Sequence, residues 1–357
     1  MKAVVYSFSK RGAELSKSVR DILLAFGYDA KAETLPKYAK EARIGVMLPD
    51  YKTACKEAFT ECGIIIFVGA AGIAVRAIAP YIKSKMTDPA VISMDEQAKF
   101  VIPLLSGHIG GANELSRAIA DKLGSVACVT TATDVNGLFA VDEWAARNNM
   151  IIDSMLEAKY FAAALVNNQL AGIYSQFDIK GSLPGNCLTV EENNPSLTNG
   201  LAVTVYDNVK PFLHTVRLIP KIVHLGIGCR RNTECAKIEQ LVYTKLKQLH
   251  IDKRAVCSIA SVDLKKDETG LLEFAEKNNW QANFYTADEL NNVEGEFAAS
   301  AFVSSIVGVN NVCERSAVLD SKNGRVLLHK TSLDGVTLAI AIENIEIDFS
   351  KTGLKTN

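Results

Sequence analysis

Apolar residues along this chain recur in two rhythms, and their alternation predicts the fold. Runs without a polar break, at residues 63–69 (GIIIFVG), 90–94 and 100–105 (FVIPLL), read as strands covered on both faces. Between them the apolar positions fall at helical spacing. Leu15, Val19, Ile22, Leu23 and Phe26 mark one amphipathic helix that ends near Gly27, and Leu115, Ile119 and Leu123 mark another. Strands are also predicted at 3–8, 44–48 and 125–131, with a short helix over 73–82 that Pro80 constrains near its end. Strand–helix alternation over residues 1–132 predicts a parallel α/β sheet.

From Ala132 the pattern changes. A turn and a helix are predicted up to about residue 150, a further helix over 155–165, and loops with short strands in the Pro-, Gly- and Asn-rich stretch 182–199. Alternation then returns. A strand at 222–228 leads to a helix with Ile238, Leu241, Val242, Leu246 and Leu249 on its buried face. A strand at 255–260, a helix through 271–277 and a strand at 283–285 follow, then a capping box at Thr286–Glu289 and strands at 326–329 and 337–343. The fold class is therefore α/β in three domains. These are an N-terminal parallel sheet domain (1–132), a smaller middle domain (133–218) with 211–220 as linker, and a C-terminal domain (219–348). The polar tail (349–357) is expected to fray.

Composition narrows the function more than the fold. Of the 357 residues 48% are hydrophobic and 22% charged, the balance of a soluble globular enzyme. A formal net charge of -1 supplies no overall basic field for nucleic acid or an anionic membrane. The opening MKAVVYSFSKRG lacks the apolar core of a signal peptide, and no apolar run approaches the roughly 20 residues that span a bilayer. Eight scattered cysteines without a CxxC pair read as reduced thiols of a cytoplasmic protein. The five histidines are isolated and HExxH is absent, so no metal site is signalled.

Four strand-to-helix turns carry candidate chemistry. In LLSGHIGGANE (104–114), His108 is placed as a general acid or base, with Ser106 and the amides around Gly110 and Gly111 as donors to an oxyanion. The plainer reading is a histidine bonded to its own turn, beside glycines that relieve crowding; GxSxG is absent, so the turn is no nucleophile elbow. In Gly69-Ala70-Ala71-Gly72, small residues after a strand admit a ligand to the backbone, and Arg76 would clamp a carboxylate or phosphate. The pattern is neither GxGxxG nor a Walker sequence, so nucleotide binding has weak support. Thr130, Thr131 and Asp134 sit where open α/β sheets bind ligands, although capping of a helix or turn is the favoured reading of Asp134. Gly226, Gly228, Arg230 and Arg231 form a second candidate anion site, and Cys229 beside the arginines is a nucleophile candidate or a small apolar filler.

Taken in order, GAAGIAVRAIAP, KMTDPAVISMDE, FVIPLLSGHIGGANELSRAIA and VTTATD resemble the amino-terminal part of the CbiG family of anaerobic cobalamin biosynthesis. LGIGCRRN, VGVNNVCERSAVL and LLHKTSLDGVTLAIA resemble its carboxy-terminal, CobE-like domain. The resemblance implies a cobalt-precorrin-5A hydrolase, which opens a δ-lactone on a cobalt corrinoid and releases acetaldehyde, leaving cobalt-precorrin-5B. No cofactor is implied, since cobalt is carried by the substrate. The partners implied are that corrinoid and, transiently, pathway methyltransferases, with a homodimer left open. On this basis His108 would serve as base in both lactone opening and fragmentation, with Ser106, Asn113 and the Gly110-Gly111 amides as oxyanion donors and Glu114 and Asp134 as alternative bases. Gly69, Ala70, Gly72, Arg76, Gly107, Gly110, Gly111, Thr130, Thr131, Gly226, Gly228, Arg230 and Arg231 would hold the carboxylate-fringed macrocycle. The competing reading is a non-catalytic carrier that protects corrinoid intermediates and hands them on.

Overall fold

The structure is a computed structural model that describes residues 1–84, 87–108, 110–191, 197–295, 297 and 310–349. The chain divides into two compact units, Met1–Arg147 and Asn148–Ser350.

The first unit is a seven-stranded sheet with helices on both faces. Its strands are β1 (Lys2–Ser7), β2 (Asp29–Thr34), β3 (Gly45–Val46), β4 (Ile64–Val68), β5 (Ala90–Met94), β6 (Phe100–Leu105) and β7 (Val126–Ala127), in the order β3-β2-β1-β4-β5-β6-β7. Its helices are α1 (Lys10–Ala25), α2 (Pro36–Ala42), α3 (Tyr51–Glu61), α4 (Ala71–Ile78), α5 (Ala112–Leu123), α6 (Ala132–Val135) and α7 (Val141–Arg147). Central β4 explains its own unbroken apolar run. Ile64, Ile66 and Val68 pack with Val19 and Leu23 of α1 and Ile119 of α5, whereas Ile65 and Phe67 pack with Ala54 and Cys55 of α3 and Ala74 and Ala77 of α4. Each such side chain contributes about 1.5–3 kcal/mol on burial.

Two features depart from the pattern reading. Strand β2 (DAKAET) has too few apolar residues to register, because only Ala32 and Thr34 are fully buried. Strand β6 runs antiparallel to β5, with Val101 opposite Met94 and Leu105 opposite Val91. The connection over 95–99 is too short for a crossover helix, which a parallel pair requires. It is held as a tight turn by Asp95, whose carboxylate accepts from the backbone N–H groups of Gln97 (2.8 Å), Lys99 (2.9 Å) and Phe100 (2.7 Å). Because β6 is reversed, the turn after Leu105 lies at the sheet edge where β5 begins. Gly69–Gly72 lies at the other edge, where β4 ends, and the Gly69 amide bonds the Met94 carbonyl there. The expected strand over 125–131 shrinks to Val126–Ala127.

The second unit holds two further five-stranded sheets. One comprises β8 (Met150–Ile152), β9 (Ala171–Ser175), β11 (Cys187–Thr189), β12 (Asn199–Val203) and β13 (His214–Pro220), with α8 (Met155–Val166) packed on β12 and β13. The other comprises β14 (Val223–Cys229), β15 (Val256–Val262), β16 (Gln281–Tyr285), β17 (Arg325–Leu333) and β18 (Val336–Ile342), in the order β16-β15-β14-β18-β17. Helices α9 (Cys235–Gln248), α10 (Thr269–Asn278), α11 (Ala287–Asn291) and α12 (Val312–Asp320) belong to this part, and the capping box at Thr286 and Glu289 is formed. Short β10 (Ile179–Lys180) pairs with β19 (Ile347–Asp348).

Residues 211–220, expected as a linker, instead contain buried β13. Arg217 within it donates from Nε to Asp153 (3.0 Å) and from a terminal nitrogen to Asp252 (3.2 Å), which lie in the two halves of the unit. Val205, Ile219 and Ile222 share one apolar cluster with β14, β15 and β18. A linker would carry no such shared core. Residues 133–147, expected to open the middle domain, fall within the first compact unit. Most of the polar tail, from residue 350, lies outside the described residues.

Helix α12 crosses β14 closely enough that a Cβ on Gly226 would stand 1.7 Å from the Cys313 carbonyl oxygen. Gly226→Ala should therefore cost about 2 kcal/mol or more through forced separation of helix and strand. Urea midpoints should show that loss, and Gly185→Ala, where a Cβ meets nothing within 4 Å, should shift little.

Candidate active site

The turn from β6 into α5 is shaped by three unusual backbone positions. Ser106 adopts a left-handed conformation (φ 55°), and its hydroxyl donates to the Asp88 carbonyl at 2.9 Å. Gly107 passes so close to Asn113 that a Cβ would meet its side-chain oxygen at 2.6 Å. Gly111 caps α5 at φ 78°. The amides of Gly111, Ala112 and Asn113 bond the carbonyls of His108 (2.9 Å), Ser106 (3.2 Å) and Gly107 (3.0 Å). This corrects the oxyanion expectation. The Ser106 hydroxyl and the Gly111 amide are committed to holding the turn, which therefore acts as a rigid mount for His108.

His108 is gripped on both nitrogens. Nε2 lies 3.0 Å from Asp134 and Nδ1 lies 3.3 Å from Asp142. The three side chains are 15%, 11% and 13% exposed, so the cluster is largely shielded with a small edge open to solvent. Asp134 also accepts from Asn113 Nδ2 (2.8 Å) and from Arg117 (2.6 Å), and Asn113 Nδ2 reaches Thr131 Oγ1 at 3.0 Å. Both amide hydrogens of Asn113 are thus engaged, so it positions Asp134 and is no free oxyanion donor in this geometry.

The charges set the protonation state. The hydrogen bond to Asp142 lifts the His108 pKa to about 9; burial opposes the rise, and the charges of Asp142 and Asp134 add to it. His108 is therefore an imidazolium at neutral pH, not the free base expected. Burial opposes ionisation of Asp134, but the bonds from Arg117 and His108 outweigh it and hold the carboxyl below its usual value. Glu114 pairs with Arg147 at 2.6 Å, and the same guanidinium meets Glu143 at 2.5 Å. Burial pushes the Glu143 pKa up, with the Arg147 charge opposing. Glu114 is thus engaged in an ion pair of its own.

Asp142, Glu143 and Arg147 on α7 escaped the sequence reading, because only the return of α7 toward the turn joins them to His108. Arg117 left a signal that was passed over: it stands four residues after Asn113, on the same helical face.

The other candidate turns fare differently. Gly69, Ala70 and Gly72 sit at the opposite sheet edge, and exposed Arg76 donates back to the Gly72 carbonyl of its own helix at 2.9 Å. Thr130 is exposed, and Thr131 enters the cluster through Asn113. Gly110 is pressed against Ser106. In the second unit Gly228, Arg230 and Arg231 line a cleft of about 770 Å³, whereas Gly226 is sealed beneath α12. Arg231 is paired with Asp267 at 3.2 Å. Burial pushes the Cys229 thiol up, which opposes the nucleophile reading.

Comparison with known proteins identifies the family. The descriptions "Cobalamin synthesis G N-terminal" and "Cobalamin synthesis G C-terminus" match residues 53–134 and 223–341. A protein of Salmonella typhimurium named cobalt-precorrin-5A hydrolase is 36% identical over 82% of this chain and 85% of its own length. The chain belongs to the cobalamin synthesis G family. A second family protein of the same name, from Priestia megaterium, is 34% identical over 78% of each chain. The crystal structure of CobE, a protein from the cobalamin biosynthetic pathway, aligns with 35% of this chain and 92% of its own at 28% identity, with a TM-score of 0.33. The N-terminal family match takes in His108, Asn113, Arg117 and Asp134 but stops short of Asp142 and α7.

The cluster has a stability signature. The His108 pKa stands above its ordinary 6.5, so its contribution is complete below pH 6.5 and is lost as pH rises through about 9. Thermal unfolding between pH 6 and 10 should show a falling midpoint that flattens in His108→Gln.

Proposed function

We infer that this chain is a cobalt-precorrin-5A hydrolase of cobalamin biosynthesis, with the N-terminal His108 cluster as its reaction centre. The observation that carries the site is an imidazole held between two aspartates and protonated at neutral pH. The relatives' shared name supports the reaction. Cobalt enters as part of the substrate.

Ester opening needs a proton taken from water and another delivered to the departing ring oxygen. Asp142, the longer of the two contacts at 3.3 Å, gives up its place on Nδ1 and takes the first, and the Nδ1–H so released delivers the second as the lactone carbon–oxygen bond breaks, while Nε2 stays on Asp134. The products of this step are a hydroxyl and a carboxylic acid, which releases its proton to solvent to become a carboxylate, and His108 is left neutral. It then accepts the proton of that hydroxyl while the adjacent carbon–carbon bond breaks. Acetaldehyde leaves and the conjugated macrocycle takes the electron pair. One histidine thus acts first as acid and then as base. Asn113 and Arg117 act through Asp134 by fixing its orientation, and Asp142 sets the second nitrogen.

The pH profile separates this order from a base-first one. With an acid of pKa about 9, kcat/KM for acetaldehyde release should fall as pH rises past 9; a base-first histidine predicts a rise toward that pH. His108→Gln should lower turnover by about 100-fold or more. Wild-type turnover in a folded His108→Gln protein removes the residue from the chemistry.

A further inference from the structure

The cleft of the second unit lies outside the carboxyl ends of the parallel strands β14 and β15, where open α/β sheets receive ligands. The start of α12 forms one wall through Val312 and Cys313, and the β17–β18 hairpin forms another. Its volume of about 770 Å³ admits a large ligand. The charged lining is lopsided, since Arg230, Arg231, Lys265 and Lys330 face one acid, Asp334. Arg231 is neutralised by Asp267, and Lys265 approaches Glu268 at 3.5 Å. For the Arg230 guanidinium and the Lys330 ammonium, no side-chain partner exists among the described residues. Beside the wall residues Val312 and Cys313, the side-chain nitrogen of Asn311, a residue 1% exposed, is buried with no hydrogen-bond partner among the described residues. Gly335 makes room for the Arg230 stem, which a Cβ there would meet at 3.1 Å.

We propose that this cleft is a second binding site, built for an apolar ring carrying several carboxylates, with Arg230 and Lys330 as its two anion contacts. The apolar walls cover the ring and the two unneutralised cations receive carboxylates at the rim. The ring form of the ligand, and its identity as the corrinoid of the reaction, rest on the hydrolase reading. The cleft's preference for an apolar body that carries carboxylates rests on its lining.

The test uses the full chain and uroporphyrin I, a tetrapyrrole with eight carboxylates, in a fluorescence titration beside its octamethyl ester. The free acid should bind the wild type, and the Arg230→Ala/Lys330→Ala double variant should weaken it by at least about tenfold, as loss of one charge-assisted hydrogen bond requires. The ester should show no such difference. Lys330→Gln, which keeps the stem, should give an intermediate loss, and matched thermal midpoints would establish folding. Equal binding of the free acid by wild type and double variant, or no binding by wild type, overturns the site. Acetaldehyde release from cobalt-precorrin-5A, measured on the same preparations, reports on the hydrolase reading separately. Absent release with charge-dependent uroporphyrin binding would sink the reaction and leave the cleft standing.

Discussion

The carboxylate of Asp134 gathers the N-terminal site into one object. It accepts from His108 in the turn and from Asn113 and Arg117 on α5, so three side chains from two segments are aimed by one anion. Asp142 closes the arrangement on the far nitrogen of the imidazole. Two cations then face two aspartates in a largely shielded setting, where such bonds are stronger than in water and an unpaired member is correspondingly costly. The histidine is charged because of this balance.

The turn itself contributes rigidity. Ser106 and the three amides that follow Gly110 are engaged with neighbouring backbone, leaving the imidazole as the group the mount presents. The reversal of β6 decides where that mount stands. An aspartate-held turn at 95–99 sends the chain back along β5, so the histidine emerges at the edge where β5 begins, away from Gly69–Gly72. The cleft of the second unit follows the other rule and opens beyond the ends of parallel strands.

Buried polar contacts shape the second unit as well. Arg217 joins its two halves through Asp153 and Asp252. His224, also held between two carboxylates, bonds Asp320 at 2.7 Å and Glu343 at 3.1 Å, while Asn283 and Tyr285 donate to Asp320. Asp320 ends α12, the helix whose first residues wall the cleft. Fully partnered and only 4% exposed, the imidazole of His224 anchors that helix. Its likeness to His108 is in its partners alone, for His108 stands at a surface turn.

The α/β class, the buried run of β4, the helical faces of α1, α5 and α9 and the capping box were all legible in the sequence. Each depends on residues near one another along the chain, whose spacing follows directly from helix and strand periods. Strand β2 escaped because polar residues can pair in a sheet when only two side chains must turn inward. The sense of β6, the continuous core across the supposed linker and the meeting of Asp142 with His108 were decided by tertiary structure alone. Hydrogen bonds and ion pairs between distant segments leave no periodic trace, so the residue types showed which groups could ionise and only the packing determined the charge His108 carries.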